Sequence, residues 1–213
     1  MTMNDSVPSG ELFLNIVSSR CSMRDFKPEL VPRDIIESVF GGAQRAPSNC
    51  NTQPWFVHVV TGETLERLRA ELPTKFAAGE IALDFPYDGQ YEGVYKDRQY
   101  ASAAALYDSL GIAREQKAER KAWFMRNFRF FDAPAVAFFT LPTGFGLREA
   151  CDLGMFAQTV MLGLTAHGLG SCPQTALAFL ADQRLQSFAC GINCRPISWE
   201  SNGSEILWVS TCS

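Results

Sequence analysis

The stretch Leu147 to His167 is nearly continuous in apolar residues, and at helical spacing Leu153, Met155, Phe156, Val160, Met161, Leu162 and Leu164 cover most of the circumference. A helix that is apolar all round has no face to give to water. It therefore belongs in the centre of a domain or of a dimer, with other elements laid around it. Its length also suits a membrane span, but Arg148, Glu149 and Asp152 stand near one end and Gln158 and His167 lie within. These groups argue against a bilayer, and the sequence predicts no membrane insertion. Gly168-Leu169-Gly170 ends the helix with permissive backbone. His167, at the carboxyl end, is placed for its imidazole to meet orphan carbonyls rather than for catalysis.

The rest of the chain alternates helices and strands without repeats. Glu11 to Ser19 reads as a short helix. Pro32 to Arg45 carries Ile35, Ile36, Val39 and Phe40 at helical spacing, and Pro47 helps to stop it. A strand is predicted over Trp55 to Val60, a turn at Thr61-Gly62, and a helix over Glu63 to Leu72. From Pro73 to Val94 turn residues interleave with aromatics, which predicts an ordered loop. Its segment from Tyr87 to Tyr95 is either a lid over a substrate or packing on the domain surface. Helices are predicted over Arg98 to Ile112 and Arg114 to Phe130, the second with a charged run read as a solvated face. Ala133 to Thr140, with Val136, Phe138 and Phe139, reads as a buried strand.

Composition narrows the function. With 213 residues and 46% hydrophobic content, the chain can bury a sizeable core, and a single domain over 1–213 is expected. The 19 basic residues against 23 acidic ones, without a basic stripe, exclude nucleic acid as the main partner. Met1 to Gly10 is polar and lacks both a basic start and an apolar core, so no secretory signal is expected and the protein reads as cytoplasmic. Seven cysteines, an odd number without paired ligand spacing, fit a reducing compartment. Cys190-x-x-x-Cys194 has no second ligand pair and the histidines are only His58 and His167, so no metal site is expected. Cys172, with no basic neighbour in sequence, reads as an inert small residue.

Two loops carry the chemistry. In Arg20-Cys21-Ser22-Met23-Arg24 two guanidinium groups flank a hydroxyl, an arrangement suited to gripping a phosphate bidentately. The bland alternative pairs these arginines with Asp25 or Glu29 at the surface. The run Ala46-Pro47-Ser48-Asn49-Cys50-Asn51-Thr52-Gln53-Pro54-Trp55 is rich in amide donors and acceptors and lies at the mouth of the first strand. Such groups can read the edge of a planar heterocycle, or, for Asn51 and Gln53, simply satisfy loop backbone. Trp55 begins an apolar strand and is expected in the core. Together the two loops indicate a phosphate-bearing cofactor.

From about Leu12 to about Gln183 the chain resembles the nitroreductase family of flavoproteins. The Arg-x-Ser-x-Arg loop, the Pro-Ser-x-x-Asn-x-Gln-Pro-Trp loop and Gly168-Leu169-Gly170-Ser171-Cys172-Pro173 carry the resemblance, in that order. The resemblance implies an α+β sandwich, a central, mostly antiparallel sheet flanked by helices, in an intertwined homodimer that holds two FMN molecules at its interface. It implies that Arg20, Ser22 and Arg24, with the backbone of Cys21, hold the FMN phosphate and ribityl chain. Pro47, Ser48, Asn49 and Asn51 would approach from the partner subunit, and Pro173, Gln174 and Thr175 would lie along the flavin ring. The implied activity is ping-pong reduction of nitroaromatic compounds with NADH or NADPH, needing no catalytic side chain. Quinones, flavins or substituted aromatics are the alternative acceptors. Residues 184–213 depart from the family pattern, which there supplies a strand and a basic tail reaching the phosphate; from Cys190 through Ser213 the only basic residue is Arg195, and it does not match. A flavin-poor, non-catalytic dimer is the corresponding alternative.

Overall fold

Period-two alternation sorts the strands' side chains onto two faces, and helices cover both. The computed structural model describes residues 10–80, 89–179, 186–192 and 206–208. The elements run α1 (Gly10–Ser19), α2 (Arg33–Ala43), β1 (Phe56–Thr61), α3 (Gly62–Ala77), α4 (Gly93–Ser109), α5 (Lys117–Met125), β2 (Ala135–Leu141), α6 (Leu147–Ala166), β3 (Ser171–Gln174), β4 (Gln186–Ile192) and β5 (Ile206–Trp208). Short 3-10 segments occupy Asn49–Asn51, Arg126–Asp132 and Ala176–Phe179. Among the described residues the strands form one sheet in the order β3-β4-β2-β1-β5. Every strand pair in it is antiparallel.

Val57 opposite Phe139 and Val59 opposite Ala137 point to one face, where they meet Ile36, Val39 and Phe40 of α2 and Phe156, Val160 and Leu164 of α6. Val60 and Val136 point the other way, onto Leu65 of α3 and onto Phe128 and Phe130. Strand β2 is consequently buried along nearly its whole length. The α2 and α6 backbones approach closely because position 163 is glycine: a Cβ there would lie 3.0 Å from Val39 Cγ1. The expected α+β sandwich with an antiparallel sheet is the architecture found.

Helix α6 buries Asp152, Phe156, Ala157, Val160, Met161 and Leu164, which is one stripe and not the whole circumference. Met155 is 41% exposed and Leu147 80%. Within one chain, then, the helix is only half covered. His167 is exposed, and it is its backbone N–H, not its imidazole, that caps the helix by donating to Gly163 and Leu164 carbonyls.

Three predicted boundaries differ in the structure. Helix α3 does not stop before Pro73 but runs through it to Ala77. Proline forfeits one helical hydrogen bond, and the packing of Phe76, stacked on Phe128 at 4.2 Å, offsets that loss. The predicted helix over Arg114 to Phe130 ends as α-helix at Met125. Phe128, Phe130 and Phe131 are all buried, which no single helical face can achieve, and the backbone turns through φ of 56° at Phe130 and 52° at Phe131 to bury them. Helix α4 begins at Gly93, inside the stretch from Pro73 to Val94 that the sequence predicts as loop. Residues 81–88, including Tyr87, are outside the described residues, as is most of the tail. The charged run of α5 is solvated as expected, except that Arg120 lies over the Tyr107 ring at 3.7 Å.

Candidate functional site

Helix α1 ends at Ser19, and the chain turns along the start of β3. Ser22 forms an isolated parallel bridge with Ser171, and Met23 N–H donates to the Ser171 carbonyl at 3.0 Å. Gly170 makes this approach possible, because a Cβ there would sit 2.8 Å from Met23 Cγ. The bridge joins the Arg20–Arg24 loop to the start of β3, the strand that leads on to Pro173, Gln174 and Thr175. Arg20, Ser22 and Arg24 are half-buried, and Cys21 is exposed. Asp25 pairs with Arg126 at 2.8 Å and Glu29 Oε2 is buried without a partner. Neither carboxylate neutralises the loop's arginines, and among the described residues Arg20 and Arg24 make no ion pair. Arg24 reaches back only to the Ser22 carbonyl, at 3.4 Å.

The polar loop is tied down from several sides. Asn49 N–H donates to Asp152 Oδ2 at 3.0 Å, and Gln53 N–H to Ser48 Oγ at 3.0 Å. Gln53 Nε2 donates to the Gln44 carbonyl at 3.2 Å, so this side chain satisfies the loop backbone. Trp55 is 2% exposed, stacks on Phe156 at 4.6 Å and donates from Nε1 to Gln44 Oε1 at 2.9 Å. It is core, as its apolar strand predicts. Cys50, Asn51 and Gln53 have φ of 51°, 56° and 44°, a left-handed backbone that Asn tolerates best. Pro47, Asn49 and Asn51 face solvent and Ser48 is half-buried.

Pro173 of β3 is half-buried and Thr175, just past the strand, is exposed, while Gln174 is buried with Nε2 donating to the Asn127 carbonyl at 3.0 Å. Burial pushes the Cys172 thiol up, and the Arg24 charge opposes this more weakly. A basic neighbour does exist, contrary to the sequence expectation, but desolvation wins and the thiol stays inert.

The first and third clusters meet at the carboxyl end of α6. The second is fixed near its amino end, through Asp152. Fourteen residues at about 1.5 Å each place Asp152 and Ala166 about 21 Å apart along the axis. Asp152, Gln44 and Asn127, which hold these loops, are residues the motifs do not reveal.

The sequence model of the nitroreductase family matches residues 17–192, most of the chain. The chain belongs to the nitroreductase family. The match reaches beyond Gln183 and takes in β4, so the family pattern extends further than the motifs indicate. Nitroreductase NfnB of Mycolicibacterium smegmatis is 42% identical over 168 residues, spanning 78% of this chain and 72% of that protein. A 4-nitrobenzoate reductase of Pseudomonas putida is 32% identical over 188 residues, spanning 84% and 82%. Among solved structures, that of the FMN-dependent nitroreductase NfnB from Mycobacterium smegmatis in complex with NADPH superposes with a TM-score of 0.83. It shares 36% identity and covers 87% of this chain and 88% of its own. Among the described residues of this nitroreductase-family chain no helix is long and apolar enough to cross a membrane.

Proposed function

We propose that this chain is an FMN-dependent oxidoreductase that reduces nitroaromatic compounds with NADH or NADPH, as a cytoplasmic homodimer and a single domain. One observation carries the reading: two guanidinium groups that pair with no carboxylate among the described residues flank Ser22 on a loop joined edge-on to β3. This donor set fits a phosphate, and Ser171 Oγ, buried without a partner beside it, leaves a further polar atom at the same place. The relative named for reducing 4-nitrobenzoate points to a flat nitroaromatic acceptor.

Arg20 and Arg24 would hold the phosphate, Ser22 and the Cys21 backbone the ribityl chain. When bound, FMN supplies a two-electron carrier that takes hydride from reduced nicotinamide and delivers it to the acceptor. Pro173 has no N–H, so among Pro173, Gln174 and Thr175 a backbone donor toward the ring would be that of Gln174 or Thr175. Such a donor, fixed in advance, stabilises charge without reorganisation. No side chain is required to form a covalent bond.

Pro47, Ser48, Asn49 and Asn51 would reach the flavin of the partner subunit. Their distance from the Arg20 loop along α6 favours a site shared between two chains. Exposed apolar residues supply an interface: Phe13 is 55% exposed, Leu14 64% and Val17 40% on α1, and Met155 lies open on α6.

The visible spectrum of the purified protein, before and after FMN is added and excess removed, tests the reading. Flavin bands that bleach with NADH or NADPH and return with a nitroaromatic are expected. A colourless protein that takes up no FMN overturns it.

A further inference from the structure

Asp152 occupies a position that packing alone would fill with a hydrocarbon. It is 4% exposed and lies in the stripe of α6 that continues through Phe156, Val160 and Leu164. A buried carboxylate is costly unless it accepts hydrogen bonds. Its Oδ2 accepts from Asn49 N–H at 3.0 Å, the first amide of the Asn49–Asn51 turn. One helical turn further on, Phe156 stacks on Trp55 at the other end of the same loop. The loop between them holds Cys50, Asn51 and Gln53 at positive φ, a conformation that the flanking contacts must impose.

We infer that Asp152 is a positioning residue, whose carboxylate oxygen fixes the Ser48–Gln53 turn in the form that meets the flavin. The inference rests on the FMN reading given above. Asp152 touches no cofactor atom in this scheme, and acts through the Asn49 amide.

The test compares the full chain with Asp152→Leu, which fills the space but accepts nothing, and Asp152→Asn, which keeps an acceptor oxygen. Hydrogen exchange of the 47–55 peptide is read in the FMN-free protein, and FMN affinity by quenching of flavin fluorescence. Thermal melting controls for folding. Asp152→Leu is expected to melt cooperatively, to speed exchange of that peptide and to weaken FMN binding about tenfold, a loss of about 1.4 kcal/mol. Asp152→Asn is expected to keep both within about threefold of the parent. If the leucine variant does not fold, Asp152→Ala takes its place with the same expectation. Unchanged exchange and affinity in a folded leucine variant overturn the inference, as does an asparagine variant impaired as severely. A parent protein that binds no FMN overturns the functional reading itself, and the exchange measurement then still decides whether Asp152 fixes the turn.

Discussion

Arg20 illustrates what a single residue's surroundings add to a motif. The spacing of Arg20, Ser22 and Arg24 already points to a phosphate, but only the structure shows that Asp25 turns to Arg126 and that no carboxylate among the described residues pairs with Arg20 or Arg24. Since the Arg20 side chain makes no ion pair among the described residues, Arg20→Ala is expected to leave the melting temperature near that of the parent. FMN retention should fall by one to two decades, the worth of a charge-assisted contact at about 1.5–3 kcal/mol. Equilibrium dialysis of FMN measures this, and unchanged retention removes Arg20 from the phosphate site. Cys172 shows the reverse case, where sequence foresaw the result for an incomplete reason. Arg24 and Cys172 are remote in sequence and meet only through the Ser22–Ser171 bridge. Because burial outweighs the arginine's charge, the thiol is held above its ordinary value and stays protonated at neutral pH. Maleimide labelling with peptide mapping should therefore spare Cys172 in the native protein and modify it once the chain is unfolded. Labelling of the native protein there contradicts this.

At the scale of elements, the burial of β2 is legible because Ala133 to Thr140 is apolar nearly throughout, whereas the apolar run of α6 overstates its burial, since one stripe is covered while Met155 and Leu147 lie open. Less legible is whatever depends on a neighbour from elsewhere in the chain: Pro73 lies within α3 because Phe76 finds Phe128, and Phe130 leaves the helical pattern to reach the sheet. Asp152 and Gln44 carry no motif at all, since their partners are backbone and indole groups brought near only by folding. Phe156 joins the layers, meeting Trp55, Phe40 and Phe139 while wholly buried. Phe156→Ala is expected to cost about 3–5 kcal/mol in urea unfolding. The amino end of α6 gives a pH dependence. Glu149 Oε2 accepts from Gly146 N–H at 2.9 Å, and backbone hydrogen bonds hold this carboxyl below the usual glutamate value. A depressed folded-state value means that the stabilisation is present above the ordinary value and is lost as pH falls through the depressed one. The melting difference between the parent and Glu149→Gln should thus be present at neutral pH and vanish in acid. A difference that does not change with pH would count against the cap.

For the whole molecule, the arrangement of the loops makes a claim that no residue or element makes alone. If one chain contained a complete cofactor site, the Arg20 loop and the Asn49–Asn51 turn would converge on one end of α6. Instead each is anchored at a different end, by Ser171 and by Asp152. Under the proposed homodimer, the half-covered α6 and the apolar side chains of α1 would be the surface through which a second copy brings the other half of the site. Sequence reaches this only through resemblance, because amphipathic spacing says that a face is apolar and not what covers it. A shared site has a consequence that a self-contained site lacks. Arg20→Ala disables the site to which a chain gives its arginine loop, and substitution of Asn49 and Asn51 by alanine disables the site to which the same chain gives its turn. In a mixed dimer of the two variants both defects fall in one site, and the other is intact. Random pairing at equal amounts makes half of the dimers mixed, so about a quarter of the sites should recover parental FMN binding and NADPH-dependent reduction of a nitroaromatic. Co-expression of the two variants with different affinity tags, followed by isolation of the doubly tagged dimer, reads this directly. The purified mixed dimer should then regain about half of the parental sites, whereas a site built within one chain would regain none.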